Sequence, residues 1–218
     1  MHIKEFVFNP FEENTYILYD DSGDCIIIDP GCYDVDENEI LRNFIILNKL
    51  MPVQLLNTHC HIDHVFGNHF ISGTYSLSPR IHPLETPVLE AAPQVCEMYG
   101  LKMQLSPAGI TDLSENTEIT FGNTALKILF TPGHSPGSVC FYNEATGQLI
   151  GGDVLFQMSI GRTDLPGGDF QTLLNSIRQK LFLLPDEVIV YPGHGPQTTI
   201  GYEKKFNPFL TDAASFTS

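Results

Sequence analysis

Tryptophan is absent, and basic residues are scarce: 11 Lys and Arg stand against 26 Asp and Glu, for a formal charge of −15 at pH 7. Nucleic-acid binding needs clustered Lys and Arg to neutralise phosphates, so this balance argues against a nucleic-acid partner. The acidity reads as a solvated surface that bound cations would partly offset. Long hydrophobic runs are lacking too: residues 25–28 and 188–191 are strand-sized, far short of the about 20 apolar residues of a spanning helix. The N-terminus, Met1-His2-Ile3-Lys4-Glu5, has no apolar signal region, so a cytoplasmic protein without a membrane partner is expected. The five cysteines (Cys25, Cys32, Cys60, Cys96 and Cys140) are odd in number and show no CxxC spacing. That pattern argues against a disulfide framework and fits buried thiols in a reducing compartment. No Pro/Ser/Gly-rich linker divides the chain, so one domain over residues 1–218 is expected.

What is present is a series of short elements. Residues 3–8, 15–19 and 25–28 read as strands, with Ser22-Gly23 as a turn between the last two. A helical pattern over 36–48 places Ile40, Leu41, Phe44, Ile45 and Leu47 as its apolar residues, and 53–57 reads as a buried strand. Residues 83–99 look helical but interrupted by Pro87 and Pro93. Gly122-Asn123 signals a hairpin between strands 118–121 and 125–130. Strands 138–142 and 148–151 flank Ala145-Thr146-Gly147; an amphipathic stretch 170–184 leads to a last strand at 188–191, and a short helical tail follows Tyr202. Residues 16–31 and 139–154 share one order, strand, glycine turn, strand, then aspartate. Two similar halves or chance resemblance between two hairpins would both give it.

The chemistry concentrates at strand ends, where loops usually carry catalytic groups. Thr58-His59-Cys60-His61-Ile62-Asp63-His64 follows the strand at 53–57. His59 and His61, two apart, point the same way in extended backbone and Cys60 points the other way, toward packing. Asp63 and His64 come after the chain turns and can face a second ion. Downstream, His134 in Pro132-Gly133-His134-Ser135-Pro136-Gly137, Asp153 in Gly151-Gly152-Asp153 and His194 in Pro192-Gly193-His194-Gly195 each follow a strand on a Gly- or Pro-bounded loop. A lone histidine after a strand is seldom a ligand; five histidines and two aspartates so placed point to a pair of transition-metal ions. His2, His69 and His82 sit in ordinary contexts and read as structural or surface residues. Asp29, in Ile28-Asp29-Pro30-Gly31, also ends a strand, as a partner for the free N–H of a ligand histidine or as a simple turn residue.

This set of residues resembles the metallo-β-lactamase superfamily, from the His59–His64 segment through His134 and Asp153 to His194. The resemblance implies an α/β fold, a four-layer αβ/βα sandwich with the metals at one edge between two sheets. It implies His59, His61 and His134 on a first metal, Asp63, His64 and His194 on a second, and Asp153 bridging them. Within the superfamily the segments 58–64 and 131–138 are similar to glyoxalase II, and the run Ser159-Ile160-Gly161-Arg162-Thr163-Asp164-Leu165-Pro166-Gly167-Gly168-Asp169 resembles its short bacterial forms. Longer members carry a helical C-terminal subdomain with basic residues for glutathione; here Lys204 and Lys205 follow His194, but too little chain remains to form it.

Two metals sharing a carboxylate and a water bring that water's pKa toward neutrality, so Asp63, His64 and Asp153 are the expected catalytic set. A thiolate leaves without a general acid, which suits a small acyl-thioester such as S-lactoylglutathione as substrate partner. Zinc is the expected ion, and iron or manganese suit the same donors. Arg162, on a Gly-rich loop after Asp153, either binds a substrate carboxylate or pairs with Asp164 or Asp169. Rival readings are a mononuclear iron persulfide dioxygenase, which would use His59, His134 and Asp153, and a lactonase or other esterase. A true β-lactamase is disfavoured by the missing signal region.

Overall fold

In the computed structural model, residues 1–211 are described; the end of the domain expected over 1–218 lies outside the described residues. Strands β1 (His2–Phe8), β2 (Glu13–Tyr19), β3 (Asp24–Ile28), β4 (Met51–Leu56) and β5 (Pro79–Arg80) form one sheet in that order. A second sheet runs β13 (Thr198–Thr199), β12 (Ile189–Pro192), β9 (Gln148–Gly152), β8 (Val139–Asn143), β7 (Thr124–Phe130) and β6 (Glu118–Phe121). Leu155–Phe156 (β10) and Ser159–Ile160 (β11) make a separate small hairpin.

Alternation along the strands builds the layers. In β2 and β3, Tyr16, Leu18, Ile26 and Ile28 face the other sheet and meet Ile128, Phe141, Ile150 and Tyr191 in one buried cluster. Their neighbours Ile17, Cys25 and Ile27 face the opposite way, onto Leu41 and Ile45 of helix α1 (Val35–Leu47). Both faces of these strands are therefore buried, which explains their nearly continuous apolar sequence. Sheet two repeats the arrangement: Cys140, Leu149 and Val190 turn outward onto Leu173, Leu174 and Ile177 of α5 (Phe170–Gln179). Each such fully buried aliphatic side chain contributes about 1.5–3 kcal/mol. The result is helix, sheet, sheet, helix: the αβ/βα sandwich.

The two halves share a connection order. β2 and β3 pair antiparallel, α1 crosses over, and β4 joins β3 in parallel. β8 and β9 pair antiparallel, α5 crosses over, and β12 joins β9 in parallel. The echo between residues 16–31 and 139–154 is thus matched in topology. Parallel neighbours end on the same side, so the loops after β4, β9 and β12 emerge along one edge.

Several elements differ from expectation. Two helices after β4, α2 (Ile62–Val65) and α3 (Asn68–Tyr75), were not legible; Gly73 and the polar residues hide the second. Helix α4 (Thr86–Met98) runs through Pro93, while Pro87 sits in its first turn, where no N–H is missed. The amphipathic 170–184 stretch is α5 followed by a short 3-10 turn, Leu181–Leu183. The C-terminal helix α6 (Ile200–Phe206) starts before Tyr202, capped by Thr199. All five cysteines are buried and free.

Candidate metal centre

The loop after β4 begins with Thr58. Its N–H and hydroxyl donate to the two oxygens of Asp29 (2.7 and 2.6 Å). Asp29 closes β3 with a positive φ of 49°, a conformation that Asp tolerates better than most residues. Asp29 Oδ2 also lies 3.1 Å from His64 Nδ1, and the Thr58 hydroxyl lies 3.1 Å from His59 Nδ1. One carboxylate therefore orients a ligand-type histidine directly and a second through Thr58. After His61, in extended backbone, the chain turns into α2, which carries Asp63 and His64. Cys60 turns away into an apolar cluster with Ile62, Val65 and Ala92.

His134, on the loop after β7, has Nδ1 2.8 Å from the Arg162 carbonyl. His194, after β12, has Nδ1 3.0 Å from the Phe11 carbonyl. Carbonyls only accept, so in both rings the proton sits on Nδ1 and the Nε2 lone pair faces inward. Asp153 follows Gly152, whose φ of 49° reverses the chain against Thr58.

Two groups of donors converge. One nitrogen each from His59, His61 and His134 lie within 4.8 Å of one another, and so do ligand atoms of Asp63, His64 and His194. His134 Nε2 is 2.9 Å from His61 Nδ1 and 3.2 Å from His59 Nε2. Asp153 lies between the groups: its oxygens are 3.5 Å from His134 Nε2, 3.5 Å from His64 Nε2 and 3.6 Å from His194 Nε2. Asp29 also stands close to His59 and His64, but both of its oxygens already accept hydrogen bonds from Thr58.

The electrostatics differ between the groups. Burial and the neighbouring histidines push His59 well below its ordinary value, and burial with His134 pushes His61 down to about 4. Burial alone would also lower His64, but Asp63 and Asp153 outweigh it and raise His64 well above the usual range. His194 rises likewise beside Asp63 and Asp153. Against their own burial, Asp63 and Asp153 are held low by the surrounding histidines, His64 foremost.

The residues fit divalent cations. His64 Nε2 and Asp153 Oδ1 are buried with no hydrogen-bond partner, although such atoms are nearly always satisfied. Facing lone pairs of three imidazoles, beside two carboxylates that among the described residues pair only with histidines and with no Lys or Arg, are the donor set that a metal pair would complete.

The chain matches the family model of the metallo-beta-lactamase superfamily over residues 9–194. It belongs to that superfamily. It is 35% identical over 218 residues to the Haemophilus influenzae hydroxyacylglutathione hydrolase GloC, covering 96% of this chain and 98% of that protein. Among solved structures it is similar to BLEG-1, described as a B3 metallo-beta-lactamase, with a TM-score of 0.88, 38% identity, and 96% and 100% of the two chains covered. TTHA1623, solved in a di-iron-bound form, matches with a TM-score of 0.85 and 38% identity, covering 95% of this chain and 100% of that one. This superfamily membership implies a metal-dependent hydrolase.

Sequence reasoning missed the backbone partners, the Phe11 and Arg162 carbonyls, because a carbonyl carries no residue-type signal. The Arg162 side chain donates to Asp164 through Nε and a terminal nitrogen (both 2.7 Å) and is largely exposed. His82 caps the turn Pro83–Glu85 and stacks on Phe130, His69 reaches the Leu105 carbonyl, and His2 stacks on Tyr19.

Proposed function

We propose that the protein is a dinuclear hydrolase of small acyl-thioesters such as S-lactoylglutathione. His59, His61 and His134 would hold one divalent cation, Asp63, His64 and His194 would hold a second, and Asp153 stands where it could serve both. The observation that carries the reading is Asp153: its carboxylate lies between both donor groups, with one oxygen buried and unpartnered. Bound there, cations would supply a water ionised near neutral pH and a positive field for the oxyanion.

The chain's own residues favour a thioester. Asp63 and Asp153 are held as carboxylates by the histidines around them, so neither has a proton to give a leaving group. A thiol with an ordinary pKa of about 8.5 leaves as thiolate without one, whereas an amide nitrogen needs a proton. Similarity to GloC, described as a hydroxyacylglutathione hydrolase, supports the same choice. Arg162 exchanges Asp164 for a substrate carboxylate, which matches its fork equally well. Zinc is the ion we favour; iron and manganese suit the same donors, and TTHA1623 is described with iron. Five buried free thiols fit a cytoplasmic setting.

A second reading, β-lactam hydrolysis, draws on the likeness to BLEG-1. Elemental analysis should find about two metal ions per chain, and the same sample should hydrolyse S-D-lactoylglutathione in a metal-dependent manner and leave a chromogenic cephalosporin intact. Turnover of the cephalosporin alone would favour the lactamase reading. About one iron per chain with oxygen uptake on glutathione persulfide would favour the dioxygenase.

A further inference from the structure

We propose that Glu85 is a positioning residue that locks the three-histidine group by tying its two loops together. Glu85 lies where the turn Pro83–Glu85 passes into α4, and its side chain is fully buried. Oε2 accepts from the Cys60 N–H (2.7 Å), while Oε1 accepts from the Ser135 hydroxyl (2.5 Å) and the Gly137 N–H (2.6 Å).

The position of these donors makes the argument. Cys60 stands between His59 and His61, and Ser135 directly follows His134. Two of the three ties therefore grip the chain one residue from a ligand histidine and the third holds Gly137, three residues past His134, and one carboxylate spans loops about 75 residues apart in sequence, where closure in the unfolded chain is costly. Three donors and no acceptor surround it, the partner set of an ionised carboxylate. Gly137 makes the approach possible, because a Cβ there would come within 2.8 Å of Glu85 Cγ and 3.0 Å of Glu85 N. The same helix supports Cys60 from below through Ala92 and Cys96. Glu85 makes none of these contacts with Asp63, His64 or His194; His64 is oriented instead by Asp29. Its effect should fall on one ion rather than both.

The inference rests on the proposed metal pair and adds which buried carboxylate preorganises one member of it. Glu85→Gln keeps size but turns an NH2 toward a backbone N–H, breaking one tie; Glu85→Asp is too short to span both loops; Ser135→Ala removes only the hydroxyl. Zinc affinity for each ion would be read by chelator competition, alongside the visible absorption of the cobalt(II)-loaded protein and the melting temperature of the metal-free protein. The expected result for Glu85→Gln is one ion bound about 10–100-fold more weakly, with the other ion unchanged and an altered cobalt spectrum. Glu85→Asp should show the same selectivity, and Ser135→Ala a smaller loss at the same ion. Unchanged affinities, or equal losses at both ions tracking a lower metal-free melting temperature, would overturn the proposal. If Glu85→Gln does not fold, Ser135→Ala and Glu85→Asp decide by the same criteria. A parent chain that binds two ions but does not cleave thioesters overturns the substrate reading alone; one that binds no ion overturns both.

Discussion

Asp153 lies between the two donor groups, which are built differently. The first is all imidazole: His59, His61 and His134 come from loops in opposite halves of the chain. The second mixes the Asp63 carboxylate with His64 and His194, and its His194 is partly exposed. Burial among other histidines keeps His59 and His61 neutral, so their lone pairs are available for a metal. Asp63 and Asp153 pull protons onto His64 and His194, which a cation must displace. Ligand identity alone does not set readiness; the charges packed around each ring do.

The largest test of this comparison removes what the groups share. Asp153→Ala should strip metal from both and lower turnover on the order of 10³-fold, read by elemental analysis and thioester hydrolysis on one sample. Retention of a full metal complement would break the shared role. A sharper cut is Gly193→Ala. The added methyl would overlap Asp153 Oδ1 and come within 2.7 Å of His64 Cε1. It should cost about 1–3 kcal/mol by overpacking and release the ion of the second group first, seen as a stepwise loss of metal under dialysis.

Asp29→Asn keeps the left-handed backbone that Asn accepts readily, but it mismatches the Thr58 hydroxyl or His64 Nδ1. Metal affinity should fall by about 10–100-fold, in a chelator competition that compares the variant with its parent. Acid separates the groups without mutation. A raised histidine holds its proton up to higher pH, so as pH falls protons compete first at His64 and His194; the lowered His61 resists until about 4. Metal content measured from about pH 8 down to about pH 5 should drop toward one ion per chain before the second is lost; simultaneous release would erase the distinction. The smallest effect is expected for Arg162→Ala. Its exposed pair with Asp164 adds little to stability, so the melting temperature should hold while KM rises and kcat stays. An unchanged KM would remove Arg162 from substrate binding.

Legibility followed the physics of each feature. Strands β1 to β4 and β6 to β9 could be read because short apolar runs and the turns that bound them are local properties. Helix α3 was hidden, since Ser72, Gly73 and Thr74 are poor helix formers. Pro93 misled in the other direction: α4 tolerates it where the surrounding packing carries the helix. Among site residues, histidines and aspartates in glycine-bounded loops announced themselves. Glu85 did not, because a single glutamate before a helix looks like any other helix start.

By itself the sequence determined the types of donor, their order along the chain and their positions at strand ends, because residue identity and local periodicity carry that information. Tertiary structure alone decided which donors meet. Parallel pairing of β3 with β4 and of β9 with β12 brings loops distant in sequence to one edge, where Asp153 lies between the groups. The proton balance of each ring was decided there too, since burial and through-space charge exist only once those loops are packed together.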